Sequence, residues 1–199
     1  MIIQKMFKPF EHIVVDEVYT EDELKLIWRE LYFLWDKFEH PSETGGAIVD
    51  GVPLKTNTAL FIDGIYTDRK FSDILFANRK SFSVEVLEAL AELHPAYGVA
   101  RWCDSDYTVL NYYGDNNYYH AHFDVSVFTF ITFFVQQSLG YSGGDFSFPD
   151  FNYTVKQKNN RLLIFPGCIR HQVTEVNLKT PVSEGRFSMA QFLNLKGPK

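Results

Sequence analysis

Hydrophobic positions after Thr20 recur every three to four residues. Leu24, Ile27, Leu31 and Leu34 fall on one stripe of a helix, and Thr20-Glu21-Asp22-Glu23 ahead of them has the form of a capping box, in which a hydroxyl and a glutamate satisfy the first backbone N–H groups. Before it, residues 9–19 (PFEHIVVDEVY) read as a strand. The periodicity breaks over residues 39–67, where PSETGG and DG turn signals surround LKTNTALFI and predict a loop or hairpin rather than a linker between domains. Two more helical stretches are predicted near 68–78 and 83–93, the second stopped by Pro95. Beyond residue 106 the pattern changes to β-branched and aromatic runs broken by Gly, Asn and Asp about every ten residues. The longest apolar run, VFTFITFFV, is too short to cross a bilayer as a helix and reads as a buried strand. The chain thus divides into a β-rich second half buttressed by N-terminal helices, with no repeat and no low-complexity tract.

Composition sharpens this picture in three ways. At 199 residues with 46% hydrophobic content, one domain with a substantial core is expected, although two small ones are also compatible with the length. The two cysteines, Cys103 and Cys168, form no disulfide framework, and Met1-Ile-Ile-Gln-Lys-Met lacks the layout of a signal peptide; a reducing, cytoplasmic setting without a membrane segment is expected. The formal charge of -6 argues against a nucleic-acid partner, and the scattered Lys5, Lys8, Lys156 and Lys158 read as solvated surface. The same balance mildly favours a neutral or basic partner. Nothing in the pattern speaks to oligomeric state.

The chemistry-bearing residues lie in the β-rich half. In HAHFDVS, a strand's period of two projects His122 and Asp124 from one side while Phe123 points away, and His171 follows in GCIRHQVTEV behind the apolar run LLIFP. Two imidazoles and one carboxylate form the face that suits iron(II) and leaves three coordination positions open; calcium and magnesium prefer oxygen, and structural zinc is usually cysteine-rich, so manganese and zinc are weaker options. By itself H-x-D more often marks a hydrogen-bonded surface pair than a metal site. The context strengthens it. Fifteen residues after His171 comes Arg186-Phe187-Ser188 in the strand-like RFSMAQFLN, with Arg186 and Ser188 on one face. A guanidinium fork and a nearby hydroxyl can anchor an acid. His120 shares the His122 face and is expected to orient another group or to face solvent. Gly143-Gly144-Asp145 reads as a turn in which Asp145 has no catalytic role.

Five runs in order carry a resemblance: YTVLNYYGDNNYYHAHFD, TFITFFVQQ, YSGGDFSFPDF, RLLIFPGCIRHQVTEV and GRFSMAQFLN, from Tyr107 to Asn194. Together they resemble the iron(II)/2-oxoglutarate-dependent dioxygenase superfamily, and within it the prolyl 4-hydroxylase-like branch. The resemblance implies an α+β fold with a double-stranded β-helix, or jelly-roll, core and N-terminal supporting helices. It implies one domain over 1–199, with a strand and helices in residues 1–105 and the catalytic jelly roll in 106–195; the glycines of 39–67 and its position between helix and core make that stretch a candidate substrate-covering lid. It makes His122, Asp124 and His171 the iron ligands and assigns the distal carboxylate of 2-oxoglutarate to Arg186, assisted by Ser188 and the Tyr112 hydroxyl. Dioxygen as oxidant and ascorbate as reductant come with it.

The implied reaction is hydroxylation of a C–H bond with release of succinate and carbon dioxide, the substrate a prolyl or other peptide or amino-acid side chain, or a small molecule. A retained Asp124 fits hydroxylation rather than halogenation. Two departures stand out. Many prolyl hydroxylases carry the basic anchor about ten residues past the distal His, where this chain has Pro181 and, nearby, Lys179; Arg186 is preferred because it starts an alternating strand. Phe133 and Phe134 occupy a strand where relatives commonly offer a tyrosine. The alternative is a non-catalytic metal-binding jelly roll that senses or stores a small ligand, against which the complete set of ligands and anchor argues.

Overall fold

The computed structural model describes residues 1–136, 140–180 and 184–196; Pro181 lies outside them. In chain order, β1 (Ile2–Met6) and β2 (His12–Asp16) precede α1 (Glu21–Phe33), the short α2 (Pro41–Thr44), the small hairpin β3 (Ile48–Val49) and β4 (Val52–Pro53), β5 (Thr58–Phe61), α3 (Asp73–Ala77) and α4 (Val84–Leu93). The β-rich half follows with β6 (Ser105–Tyr113), β7 (Tyr119–His122), β8 (Phe128–Phe134), β9 (Tyr141–Gly143), β10 (Phe146–Phe148), β11 (Tyr153–Val155), β12 (Arg161–Pro166), β13 (His171–Val173), β14 (Val176–Leu178) and β15 (Arg186–Asn194).

A seven-stranded antiparallel sheet, β1-β2-β12-β8-β15-β6-β5, faces a four-stranded sheet, β11-β10-β13-β7, with the pair β14-β9 beside it. This is the expected α+β fold, two facing antiparallel sheets buttressed by N-terminal helices. The helices are where the periodicity puts them. Thr20 caps α1, accepting from the Glu23 N–H at 3.3 Å while the Glu23 carboxylate accepts from the Thr20 N–H at 2.8 Å, and Ile27, Leu31 and Leu34 are buried. The stretch 68–78 is α-helical only from Asp73 to Ala77, after a 3₁₀ turn at Arg69–Phe71: Ser72 caps the α-helix by accepting from the Leu75 N–H, and the buried Asn78, which donates to the Thr108 hydroxyl at 3.0 Å, begins a second 3₁₀ turn.

The long central strands explain themselves by alternation. Phe128, Phe130 and Phe134 join Phe187 and Met189 on the helix side of the large sheet, while Ile131 and Phe133 join Ala190 between the two sheets. Every residue of β8 is buried, because helices cover one face and the second sheet the other. Each buried phenylalanine contributes roughly 1.5–3 kcal/mol by leaving water, so this strand pins the architecture.

Two expectations change. Residues 1–105 are not only a support for the jelly roll, since β1, β2 and β5 pair directly into the large sheet; β2 lies against β12 and β5 against β6. The stretch 39–67 likewise has two parts. Thr58–Phe61 is a sheet strand, whereas residues 41–56 run over the open side of the minor sheet, where Lys55 bridges to Tyr119.

Candidate active site

His171 opens β13 directly opposite His122, the last residue of β7, while Val173 pairs with Tyr119. Two steps on β13 therefore match three on β7, a bulge that shifts the alternation by one residue. Its result is that Tyr119 and His122, three apart, both line the same cavity, their rings stacked at 3.6 Å between centroids. Asp124 lies past the end of the strand, held by its N–H donating to the Gly167 carbonyl at 3.0 Å. The strand alternation invoked for His122 and Asp124 is thus not what aligns them; a strand end followed by a turn does.

The three side chains converge. One donor atom from each of His122, Asp124 and His171 lies within 4.8 Å of the others, with Asp124 Oδ1 3.7 Å from His122 Nε2 and Asp124 Oδ2 3.3 Å from His171 Nε2. Each imidazole Nδ1 meets a carbonyl two residues back, His120 O at 2.8 Å and Ile169 O at 2.9 Å. A carbonyl only accepts, so Nδ1 carries the hydrogen in both rings. Burial pushes both imidazoles down to about 4, so they are neutral at pH 7. Their Nε2 lone pairs therefore point at carboxylate oxygens, an arrangement that repels unless a cation sits between them. The donor set fits a divalent metal, and nitrogen with oxygen ligands suits iron. Thr129 donates to Asp124 Oδ2 at 2.5 Å and orients the carboxylate, whose own affinity for a proton is raised by burial. The His120 ring faces solvent against Tyr118, and it is the residue's carbonyl that meets His122.

The triad opens into a cavity of about 280 Å³ that Arg186 and Ser188 also line. Arg186 is 1% exposed, its Nε donating to Gln157 Oε1 at 3.2 Å and its Nη1 weakly to Ser188 Oγ at 3.4 Å, while Nη2 is buried without a partner. Burial lowers its proton affinity, yet a guanidinium stays charged. A buried cation with an orphaned donor is costly unless an anion meets it, and the acid lining the cavity among the described residues is Asp124, on the metal side. Gly144 makes room for the arginine stem: its φ is +67°, and an added Cβ would come 2.8 Å from Val176 Cγ2 and 3.3 Å from Arg186 Cδ. Lys179, the other cation near the distal His, is exposed and away from the cavity lining.

Tyr112 does not join this group. The β6–β15 register sets Tyr113 opposite Arg186 and Tyr112 opposite Phe187, so Tyr112 faces the helix side, 4.5 Å from Trp35 and 4.9 Å from Phe187 between ring centroids. Its neighbour Tyr113 lines the cavity, with the Arg186 guanidinium 4.9 Å from its ring centroid. The sequence reading was off by one residue, and period two carried that slip to the wrong face. It also missed Lys55, Tyr119, Thr129 and Gln157. Tyr113 follows once the partner of Arg186 is known; the others are brought in by tertiary contacts that leave no periodic signal.

Comparison with known proteins agrees with this geometry. The model described as "2OG-Fe(II) oxygenase superfamily" matches residues 107–194, the segment that contains the triad and Arg186, and this segment belongs to that superfamily. No curated protein sequence matches the chain. Among solved structures, a prolyl-4-hydroxylase from Pseudomonas putida aligns with a TM-score of 0.66 at 11% identity, covering 94% of this chain and 93% of that one. A prolyl hydroxylase from Trichoplax adhaerens, in complex with a hypoxia inducible factor peptide fragment, aligns at 0.60 and 13%, covering 92% and 83%. A viral collagen prolyl hydroxylase from Paramecium bursaria Chlorella virus-1, in a 2OG complex, aligns at 0.52 and 11%, covering 93% and 96%. The fold is therefore a prolyl 4-hydroxylase-like jelly roll.

Proposed function

We propose that this chain, with its 2OG-Fe(II) oxygenase-superfamily segment, is an iron(II)- and 2-oxoglutarate-dependent dioxygenase that hydroxylates a C–H bond of a prolyl or other peptide or amino-acid side chain, releasing succinate and carbon dioxide. The observation that carries the reading is a single cavity with two unlike sets of unmatched polar groups: neutral imidazoles whose bare Nε2 atoms face a carboxylate, and a buried guanidinium with an unpartnered donor. A dicarboxylate long enough to reach from one to the other answers both.

In this reading His122, Asp124 and His171 hold iron(II), which supplies the activation of dioxygen when bound. Thr129 keeps Asp124 turned toward the two rings, and the carbonyls of His120 and Ile169 keep each Nε2 free of its proton. Arg186 takes the distal carboxylate of 2-oxoglutarate, with Ser188 beside it and Tyr113 in the role first expected of Tyr112. Phe61, Tyr107, Phe123 and Val125 line the cavity yet remain exposed, an apolar mouth that supports an organic side chain as substrate. The pairing of β1, β2 and β5 into the large sheet supports one domain over 1–199. Free thiols at Cys103 and Cys168 are consistent with a reducing, cytoplasmic setting; among the described residues no helix is long and apolar enough to cross a membrane.

The test is incubation with iron(II), ascorbate, dioxygen and 2-oxoglutarate, with and without a peptide library. Succinate release, accompanied by a mass gain of one oxygen on a library member, is expected. Tight binding of metal and 2-oxoglutarate with no succinate under any condition would mean a sensor or storage protein instead.

A further inference from the structure

Lys55 is a second buried cation in the cavity, and the reaction so far gives it nothing to do. It comes from the covering stretch, lines the same cavity as His122, Asp124 and Arg186, and is 6% exposed. Its ammonium donates to Thr44 Oγ1 at 3.0 Å and lies 5.9 Å from the centroid of the Tyr119 ring, which is itself stacked on His122. An ammonium has three donors, and no carboxylate of the described residues pairs with this one. Burial alone pulls it down to about 8, so at pH 7 it is mostly charged. Gly46 is shaped around it: a Cβ there would come 3.0 Å from both Lys55 Cε and the Tyr119 hydroxyl.

The charges in the cavity give this lysine its meaning. A divalent ion, Asp124, Arg186 and a dianionic 2-oxoacid cancel one another, leaving Lys55 as the uncompensated charge. It lies near enough to His122 to disfavour protonation there, whereas Arg186 is held by Gln157 and lies against the Tyr113 ring. A buried cation left unpaired beside a metal is expensive, and a carboxylate on an incoming molecule removes that cost.

We propose that Lys55 is a specificity-determining residue that pairs with a carboxylate of the primary substrate, so that the substrate is an amino acid or peptide bearing a free carboxylate close to the carbon that reacts. The inference rests on the oxygenase reading for the word substrate, but the pairing itself does not need turnover. The carboxylate has two sources, a free α-carboxyl group or an aspartyl or glutamyl side chain. The chain's formal charge of -6 works against such a ligand at long range, so selection falls to the lysine at contact.

The experiment is titration calorimetry with a panel of N-acetylated amino acids and short peptides, each as free acid and as C-terminal amide, together with amidated peptides that pair Asp with Asn and Glu with Gln. It is run on protein loaded with iron(II) and 2-oxoglutarate without oxygen, and again on metal-free protein. Acids are expected to bind at least about tenfold tighter than their amides, the difference a charge-assisted hydrogen bond makes. Lys55→Met is expected to erase the preference and Lys55→Arg to keep it; the acid and amide affinities of the parent decide the matter if Lys55→Met fails to fold. The C-terminal and side-chain arms identify the source. Equal binding of acids and amides, a preference that survives Lys55→Met, or no binding by any member overturns the proposal. Failure of the oxygenase reading appears separately, as iron-loaded parent that does not bind 2-oxoglutarate.

Discussion

The large sheet and the small one solve different problems. In the large sheet, β6, β8 and β15 run seven to nine residues in unbroken register, and Arg186 and Ser188 stand on its inner face because alternation puts them there. In the small sheet the strands are three or four residues long, a bulge shifts the pairing of β7 with β13, and Asp124 stands outside any strand. Regular backbone carries the buried guanidinium and irregular backbone carries the three converging donors. Three atoms can meet at one point only if the chain departs from the pleat, whereas a guanidinium facing a cavity needs no departure.

Disruption at the irregular rim is expected to have the largest effect. His171→Ala should lower iron affinity by at least about 100-fold, since a three-ligand site becomes a two-ligand one and the His122 and Asp124 donors lose their partner; metal retained after dialysis reads this directly. On the regular sheet the losses should fall on 2-oxoglutarate instead. Arg186→Ala is expected to raise its KM by roughly 30-fold or more, the consequence of losing about 2–5 kcal/mol of buried charged pairing, while the exposed Lys179→Ala leaves it unchanged; the reverse result would move the anchor.

A finer contrast lies between neighbours on one strand. Tyr113→Phe should raise the same KM by about 3–10-fold and Tyr112→Phe by less than twofold, as one hydroxyl lies in the cavity near Arg186 and the other against Gly185 on the opposite face. Equal effects would mean the register is wrong. The smallest expected effect concerns stability. His12 is fully buried between the sheets, away from the cavity lining, with Nδ1 donating to the Phe10 carbonyl at 2.8 Å, and burial holds it below its ordinary 6.5. The unfolded chain takes up that proton first as pH falls, so the stabilisation is complete above pH 6.5 and is lost as pH drops below it. Thermal melts between pH 7 and 5 should show Tm falling in the parent by a few degrees more than in His12→Phe.

The same contrast explains what could be read from the amino acids alone. Long elements wrote themselves plainly: the capping box of α1, the apolar run of β8 and the alternating start of β15 each lie where pattern puts them. The convergence of His122, Asp124 and His171 was legible from residue type and context, but the reason they align was not, because a bulge has no sequence period. Tyr112 came with the resemblance, and on a strand a difference of one residue puts the side chain on the other face; β1 was overlooked because IIQKM is a short edge strand with only part of its surface covered. Lys55 was invisible because its burial depends on residues 41–56 folding back over Tyr119, a contact made across more than sixty positions of chain.

That fold-back ties two events together. The roof is laced to the ligand-bearing strand by Thr56 N–H to Tyr118 O at 3.0 Å, His120 N–H to Leu54 O at 2.8 Å and Ala47 N–H to the Tyr119 hydroxyl at 2.9 Å. On the proposed reading, lifting it would loosen the backbone that carries His122, and a molecule that holds it down would tighten the grip on the ion. Amide exchange along 54–56 is the measurement that reads this link, expected to slow when either the ion or the molecule under the roof is bound.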